Sequence, residues 1–222
     1  MPAPTLLRRR SRRLVIAAAV PLALAALADD VRVRRRLDAA RRDPLTGLHL
    51  RDGYTSRARQ IVGRHRTDAL VLLVDVDHFK QINDTHGHAA GDRVLTVTAQ
   101  RLTDWAGSHG VVGRLGGDEF AATVWVDPAR RRPLLDQLAA ALAQPVDIGD
   151  RLVDVAVSIG AATPDIVGTT DLYSLQRTAD AAMYAGKHTG RPVLADRSHT
   201  SVLSVNGRRA GRPGTASLGV AL

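Results

Sequence analysis

The sequence contains no cysteine. Disulfides and thiol chemistry are therefore excluded, and the absence agrees with a cytosolic domain. Aromatic residues make up 3% of the chain, so its core must be aliphatic, drawn largely from Ala and Val within a hydrophobic fraction of 45%. Lysine and glutamate are nearly missing. Lys80 and Lys187 are the two lysines among 31 basic residues, and Glu119 is the one glutamate among 22 acids. A nucleotide-composition bias would write charges as Arg and Asp in this way. All three exceptions fall inside the motifs described below, which points to positions that need that side chain. A long membrane-spanning run is also lacking. The apolar stretch Leu14 to Ala28 would extend roughly 22 Å as a helix, short of the ~30 Å hydrocarbon core.

The net charge of +9 is unevenly placed. Residues 1–42 carry 11 Arg and 3 Asp, a net +8, and residues 196–222 carry 4 Arg and 1 Asp, a net +3. Residues 43–195 hold 16 basic and 18 acidic residues, a net −2. Basicity confined to the ends argues against a specific nucleic-acid-binding core. It leaves the arginine-rich ends able to meet anionic surfaces such as membrane phosphate.

The length of 222 residues fits one domain plus extensions. Residues 1–42 form a basic and apolar N-terminal segment with a charged lead-in helix. Three readings of it stand. A cleaved signal would use Ala26-Leu27-Ala28 as its cleavage site, and Ser11-Arg12-Arg13 resembles a twin-arginine signal. A membrane anchor or interfacial helix is the second. A soluble Ala-rich helix or a mis-assigned start is the third. Export would separate the domain from nucleotide, so the expected arrangement is a cytoplasmic domain attached to a membrane through residues 14–28. Residues 196–222, rich in Ser, Gly and Arg, read as a disordered tail.

Between these ends the pattern predicts a turn over Asp43 to Leu48 and a helix over about 50–65. A buried strand follows over 69–76, then a helical region over about 78–105, interrupted near Gly87 to Gly91. A hairpin is expected over 110–115 and 119–126, with its tight turn at Gly116-Gly117. A helix to about 143 opens at Pro128. Strands are expected over 146–148 and 152–161, a helix over 171–187, and a last short strand at Pro192-Val193-Leu194. This order gives an α+β fold of ferredoxin-like, palm type. Its β-α-β-β-α-β core forms an antiparallel central sheet with helices packed on one face, plus an extra N-terminal helix. In that arrangement the second hairpin strand lies beside the first strand. The strand end (Asp75 to Asp77) then meets the hairpin tip (Asp118, Glu119).

Carboxylates in a bare, glycine-rich corner suit a divalent metal and phosphate. Asp75-x-Asp77 is a weak signal alone, since aspartates often end strands. His78-Phe79-Lys80 opens the next helix, whose free amides and positive dipole end suit a triphosphate. Asn83 and Asp92 can together satisfy the hydrogen-bonding edge of guanine. Their bland readings are a turn at Asn83-Asp84 and a helix N-cap at Asp92.

Three stretches carry a resemblance: Asp75-Val76-Asp77-His78-Phe79-Lys80-Gln81-Ile82-Asn83-Asp84, then Gly87-His88-x-x-Gly91-Asp92, then Arg114-x-Gly116-Gly117-Asp118-Glu119-Phe120. With Asp43-x-Leu45-Thr46-Gly47-Leu48, Ser158-Ile159-Gly160-Ala161 and the run Ala179 to Arg191, they resemble the GGDEF-domain diguanylate cyclases of bacterial signalling over about 40–195. The resemblance implies condensation of two GTP into cyclic di-GMP with release of pyrophosphate, in a homodimer. It implies two Mg²⁺ per site, replaceable by Mn²⁺. Asp75, Asp118 and the Val76 carbonyl would ligate metal. Glu119 would complete the site or act as base, and which carboxylate is the base stays open. His78, Phe79, Lys80, Gly116 and Gly117 would face the phosphates, Asn83 and Asp92 would bind guanine, and His88 would lie near the nucleotide. Lys187 and Arg191 would contact phosphates from one helical face. The alternative role for Lys187 is a cation at a helix C-terminus.

Two departures from the family pattern matter. Leu50 stands where Asn often precedes Arg51. Many members also carry an inhibitory product site, Arg-x-x-Asp, and the corresponding positions are Gly107 and Gly110. That site is expected to be absent. No sensory domain is legible ahead of residue 43, so dimerisation is expected to rest on residues 1–42, on crowding at a membrane or on a partner. A non-catalytic GTP-binding or scaffolding module is the competing reading of the whole chain.

Overall fold

The computed structural model describes residues 42–187 and 189–201, together with Asp29. The chain divides into a unit of Met1–Arg41 and a unit of Arg42–Leu222; the architecture below belongs to the second. Its elements in chain order are β1 (His49–Leu50), α1 (Arg51–His65), β2 (Ala69–Val76), α2 (Phe79–His86), α3 (His88–Ala106), β3 (Gly110–Gly116) and β4 (Glu119–Trp125). These are followed by α4 (Arg131–Leu142), β5 (Val146–Asp147), β6 (Leu152–Val153), β7 (Val157–Ala162), α5 (Pro164–Val167), α6 (Leu172–Gly186) and β8 (Val193–Leu194).

The continuous apolar run Ala69 to Val76 forms β2, at the centre of a six-stranded sheet ordered β1-β3-β4-β2-β7-β8. β2 runs antiparallel to β4 on one side and to β7 on the other. The path β2-α3-β3-β4-α4-β7 is the expected β-α-β-β-α-β core of an α+β, palm-like fold. The short edge strands β1 and β8 add parallel pairs to β3 and β7. The sheet is therefore mixed, with an antiparallel centre.

The helices cover both faces of this sheet, not one. Leu70, Leu72, Val74 and Val76 cluster with α3 (Val94, Leu95, Leu102) and α4 (Leu135, Leu138, Leu142). Ala69 and Val71 cluster with α1 (Tyr54, Ala58, Val62) and α6 (Leu172, Leu175, Ala179). Successive strand residues face opposite ways. A strand that is apolar at nearly every position needs cover on both sides.

The strand expected over 152–161 is two strands. β6 pairs with β5 in a separate ribbon, and β7 starts at Val157. α6 is capped by Asp171, whose Oδ2 accepts from Ser174 N at 2.9 Å. It lies on β7 at Gly160. A Cβ built on Gly160 would sit 2.1 Å from the Ala179 carbonyl oxygen and 2.3 Å from the Met183 nitrogen.

Arg197–Ser201 forms a 3₁₀ turn, with Arg177 Nη2 donating to the Thr200 carbonyl at 3.5 Å. The remainder of the expected tail, residues 202–222, lies outside the described residues, as does the apolar stretch 14–28. Among the described residues no helix is long and apolar enough to cross a membrane.

Candidate active site

Register places the acids. Asp75, at the end of β2, is opposite Glu119 on β4 and opposite Ser158 on β7. Directly opposed residues share a face of the sheet. Glu119, Asp75 and Ser158 thus form one row on the face that α1 and α6 cover. Asp75 and Asp77 are both buried, at 7% and 9% exposure. Ser158 Oγ donates to Asp77, 2.8 Å from Oδ1 and 3.1 Å from Oδ2. Val76 N donates to the Asp118 carbonyl at 3.2 Å, which ties the hairpin tip to the end of β2. The predicted meeting of strand end and hairpin is present.

The hairpin turn itself sits one residue later than expected. Gly116 is the last residue of β3 and pairs with Glu119, after a register shift between Arg114 and Gly116. The turn residues are Gly117, with φ at +31°, and Asp118. Arg114 holds this turn. Its Nε and Nη2 donate to the Gly117 carbonyl at 2.9 and 2.7 Å, and its Nη1 pairs with Asp43 Oδ1 at 2.9 Å. Asp43 also accepts from Thr46 N at 2.8 Å and Thr46 Oγ1 at 2.6 Å.

Burial raises the Asp43 carboxyl, but the Thr46 and Arg114 hydrogen bonds outweigh it and hold the group below its ordinary value of 3.8. A depressed acid stabilises the fold above its unfolded value and loses that contribution as pH falls through the folded value. Asp43→Asn is therefore expected to lower stability by about 1–2 kcal/mol at pH 7. The gap to wild type should close as pH falls below about 4, and denaturant melts at several pH values check this. A gap that is constant with pH would assign the loss to packing alone.

The other side of the candidate site is built by α2 and α3. His78 enters α2 at φ 56°, ψ 26°, a left-handed conformation for a non-glycine residue. Phe79 and Lys80 are the first two residues of α2, half-buried and exposed respectively. Asn83 lies inside α2, and Asp92 lies one turn into α3, which starts at His88. A turn at Asn83 and an N-cap at Asp92 are thereby replaced by helical positions. A Cβ on Gly91 would fall 2.0 Å from Asn83 Oδ1, so the missing side chain makes room for the amide beside Asp92. Exposed His88 opens the same helix. Gly116 and Gly117 are exposed, with open space where a Cβ would point.

Lys187 and Arg191 do not share a helical face. α6 ends at Gly186, and Lys187 is already extended at φ −57°, ψ 130°. Thr189 Oγ1 then caps the Gly186 carbonyl at 2.7 Å and accepts from Arg191 N at 3.2 Å, leading the chain away as a bend. Arg191 is exposed. Lys187 Nζ is 3.1 Å from Asp75 Oδ1. Burial pushes the Asp75 carboxyl above its ordinary range, Lys187 opposes this, and Asp118 and Asp77 add to the rise.

The donors Asp75, Asp118, Glu119 and the Val76 carbonyl are all hard oxygens, and mutual repulsion among the carboxylates favours a bound cation. The chemistry fits Mg²⁺. Among the described residues, though, no three His, Cys, Asp or Glu side chains are gathered at metal-holding distance. A cavity of about 620 Å³ lies at the other end of the hairpin, lined by Arg57, Arg64, His65 and Trp125 together with Gly107 and Gly110. None of the candidate site residues lines it.

The family described as "Diguanylate cyclase, GGDEF domain" matches residues 40–192. The chain belongs to the GGDEF family. An uncharacterised 19.3 kDa protein of Streptomyces ambofaciens is 49% identical over 161 residues, covering 71% of this chain and 84% of that one. Diguanylate cyclase TpbB of Pseudomonas aeruginosa is 37% identical over 159 residues, covering 68% of this chain but 36% of TpbB. The crystal structure of the diguanylate cyclase SiaD with its activator SiaC, also from Pseudomonas aeruginosa, superposes with a TM-score of 0.67 at 29% identity. That match covers 85% of this chain and 74% of SiaD.

Within this GGDEF domain, three residues of the site lack a role in the sequence reading. Ser158 fixes Asp77, while Asp43 and Arg114 fix the Gly117–Asp118 turn. Each belongs to a family motif, and motif membership was the only signal available for it.

Proposed function

We propose that this chain is a diguanylate cyclase, condensing two GTP molecules into cyclic di-GMP with release of pyrophosphate. The observation that carries the reading is the join between hairpin and strand. Asp75 stands opposite Glu119, and Val76 N bonds the Asp118 carbonyl at 3.2 Å. This brings acids from two separate strands to one corner. Asp75, Asp118, Glu119 and the Val76 carbonyl would hold two Mg²⁺, which when bound supply positive charge against the phosphates and lower the pKa of the attacking 3′-hydroxyl.

The chain's own groups do the rest. The first amides of α2, with Lys80, bind the triphosphate, and bare Gly116 and Gly117 let it approach the backbone. Asn83 and Asp92 orient guanine, with His88 alongside the nucleotide. Asp118 or Glu119 takes the hydroxyl proton. Lys187 and Arg191 contact phosphate from the segment after α6. One domain holds one GTP, so turnover needs two copies face to face, in a homodimer.

One observation favours a non-catalytic GTP-binding module instead: Lys187 Nζ pairs with Asp75 Oδ1 at 3.1 Å, so the carboxylate already has a cationic partner. Incubating the purified full chain with GTP and Mg²⁺ separates the two readings. Cyclic di-GMP and pyrophosphate should accumulate together, whereas GTP binding without either product supports the module.

Gly107 and Gly110 remove the charged side chains of the inhibitory product site. Initial rates measured with added cyclic di-GMP are expected to show no non-competitive inhibition. Strong non-competitive inhibition would place a working product site in this chain.

A further inference from the structure

We propose that Lys187 is a resident counter-ion that makes divalent-cation binding at Asp75 conditional on a phosphate ligand. The inference rests on reading Asp75 as a metal ligand. Two independent observations carry it.

The first is geometric. Asp75 is a buried carboxylate, with buried Asp77 two residues on and the Asp118 carbonyl bonded to the intervening Val76 N at 3.2 Å. Asp77 is tied to Ser158 Oγ at 2.8 Å. Lys187 Nζ, at 3.1 Å, reaches Asp75 Oδ1. A divalent cation that seeks the same oxygen meets an ammonium already there. Two cations cannot share one carboxylate oxygen at these distances without strong repulsion. The lysine must leave before the metal enters. It is free to do so. Its side chain is 33% exposed against 10% for Asp75, and it hangs from an extended residue just beyond the end of α6. The stem has four rotatable bonds, so the head can leave Asp75 while the backbone stays fixed.

The second observation is the residue type. A chain with 29 arginines places one of its two lysines at this position. A guanidinium would grip the Asp75 carboxylate with a planar, two-pronged fork and release it reluctantly. A compact ammonium on a flexible stem makes a single contact and can be drawn off. A polyphosphate does this twice over. It supplies oxygens that complete the metal's coordination, and it offers the lysine a new anionic partner. Metal and nucleotide binding are then reciprocally coupled. The site stays closed to free cation and opens to the cation–nucleotide pair. In the resting protein the same contact supplies part of the opposing charge that lets three aspartates stand together.

The test needs no turnover. Mn²⁺ binding to the nucleotide-free full-length protein is measured by electron paramagnetic resonance at fixed ionic strength, then repeated with a non-hydrolysable GTP analogue. Wild type is expected to bind Mn²⁺ weakly alone and much more tightly with the analogue. Lys187→Met should bind Mn²⁺ alone about tenfold more tightly than wild type, and the analogue's enhancement should shrink. Lys187→Arg should bind Mn²⁺ alone no better than wild type. Asp75→Asn introduced into Lys187→Met should remove the gain, which places the gained ion on Asp75.

If Lys187→Met and its milder counterpart Lys187→Gln, both folded by circular dichroism, bind Mn²⁺ alone as weakly as wild type, the counter-ion role is overturned. Tighter binding that survives Asp75→Asn overturns it as well. Failure to form cyclic di-GMP leaves these titrations intact, so loss of the enzymatic reading and loss of this one are told apart.

Discussion

Asp118→Ala is expected to lower the rates of cyclic di-GMP and pyrophosphate formation together, by on the order of 10³-fold or more, with little change in melting temperature. The two expectations have separate sources. Stability is largely preserved because the backbone of residue 118 carries the contact that joins the hairpin to β2. The carbonyl that accepts from Val76 N is retained in alanine. The turn is held from outside by Arg114 on Gly117. Asp118 is half-buried and has an ordinary negative φ, so alanine fits without strain. On the proposed reading activity falls because this carboxylate would hold the cation that faces the reacting phosphate.

Glu119 does not replace the lost carboxylate. It is the first residue of β4, locked in register opposite Asp75, and cannot advance into the turn without breaking that pairing. A variant that stays folded and keeps more than about a tenth of wild-type turnover would contradict the two-strand acid site at its centre.

How much of this was legible depended on sequence distance. β2 was legible because every position from Ala69 to Val74 is apolar and strands of that kind have local signatures. The same feature also implied two covered faces, which a count of helices does not reveal. The two apolar runs place the hairpin correctly, but the glycine pair puts its turn one residue too early. In fact one glycine ends β3 and Asp118 takes the second turn position. Spacing failed at Lys187 and Arg191. An i, i+4 interval means one face only while a helix continues, and α6 stops at Gly186. The contacts that hold the site were invisible for a different reason. Arg114 meets Asp43 across 71 residues, Ser158 meets Asp77 across 81, and Lys187 meets Asp75 across 112. Contacts at such separations leave no periodicity. They become visible only once the strands are laid side by side.

Gly160→Ala is expected to be the most damaging small substitution in the core. At Gly160 the new methyl would meet backbone on two sides, the Ala179 carbonyl oxygen at 2.1 Å and the Met183 nitrogen at 2.3 Å, with Met183 Cβ at 2.6 Å. None of these is the end of a rotatable chain. Relief requires α6 to lift from β7, which opens the packing of Leu172, Leu175 and Ala179 on that face. Overpacking of this kind destabilises by about 3 kcal/mol or more when backbone must move. For a domain of this size that lowers the melting temperature by about 6–12 °C.

The same displacement carries Lys187, just past the end of α6, away from Asp75 on β2. Thermal melts and the nucleotide-free Mn²⁺ titration should therefore change together, the protein melting earlier while its metal site behaves more like Lys187→Met. A melting temperature within about 2 °C of wild type would mean that the sheet yields instead of the helix. The tight seat of α6 on β7 would then not be what holds the lysine in place.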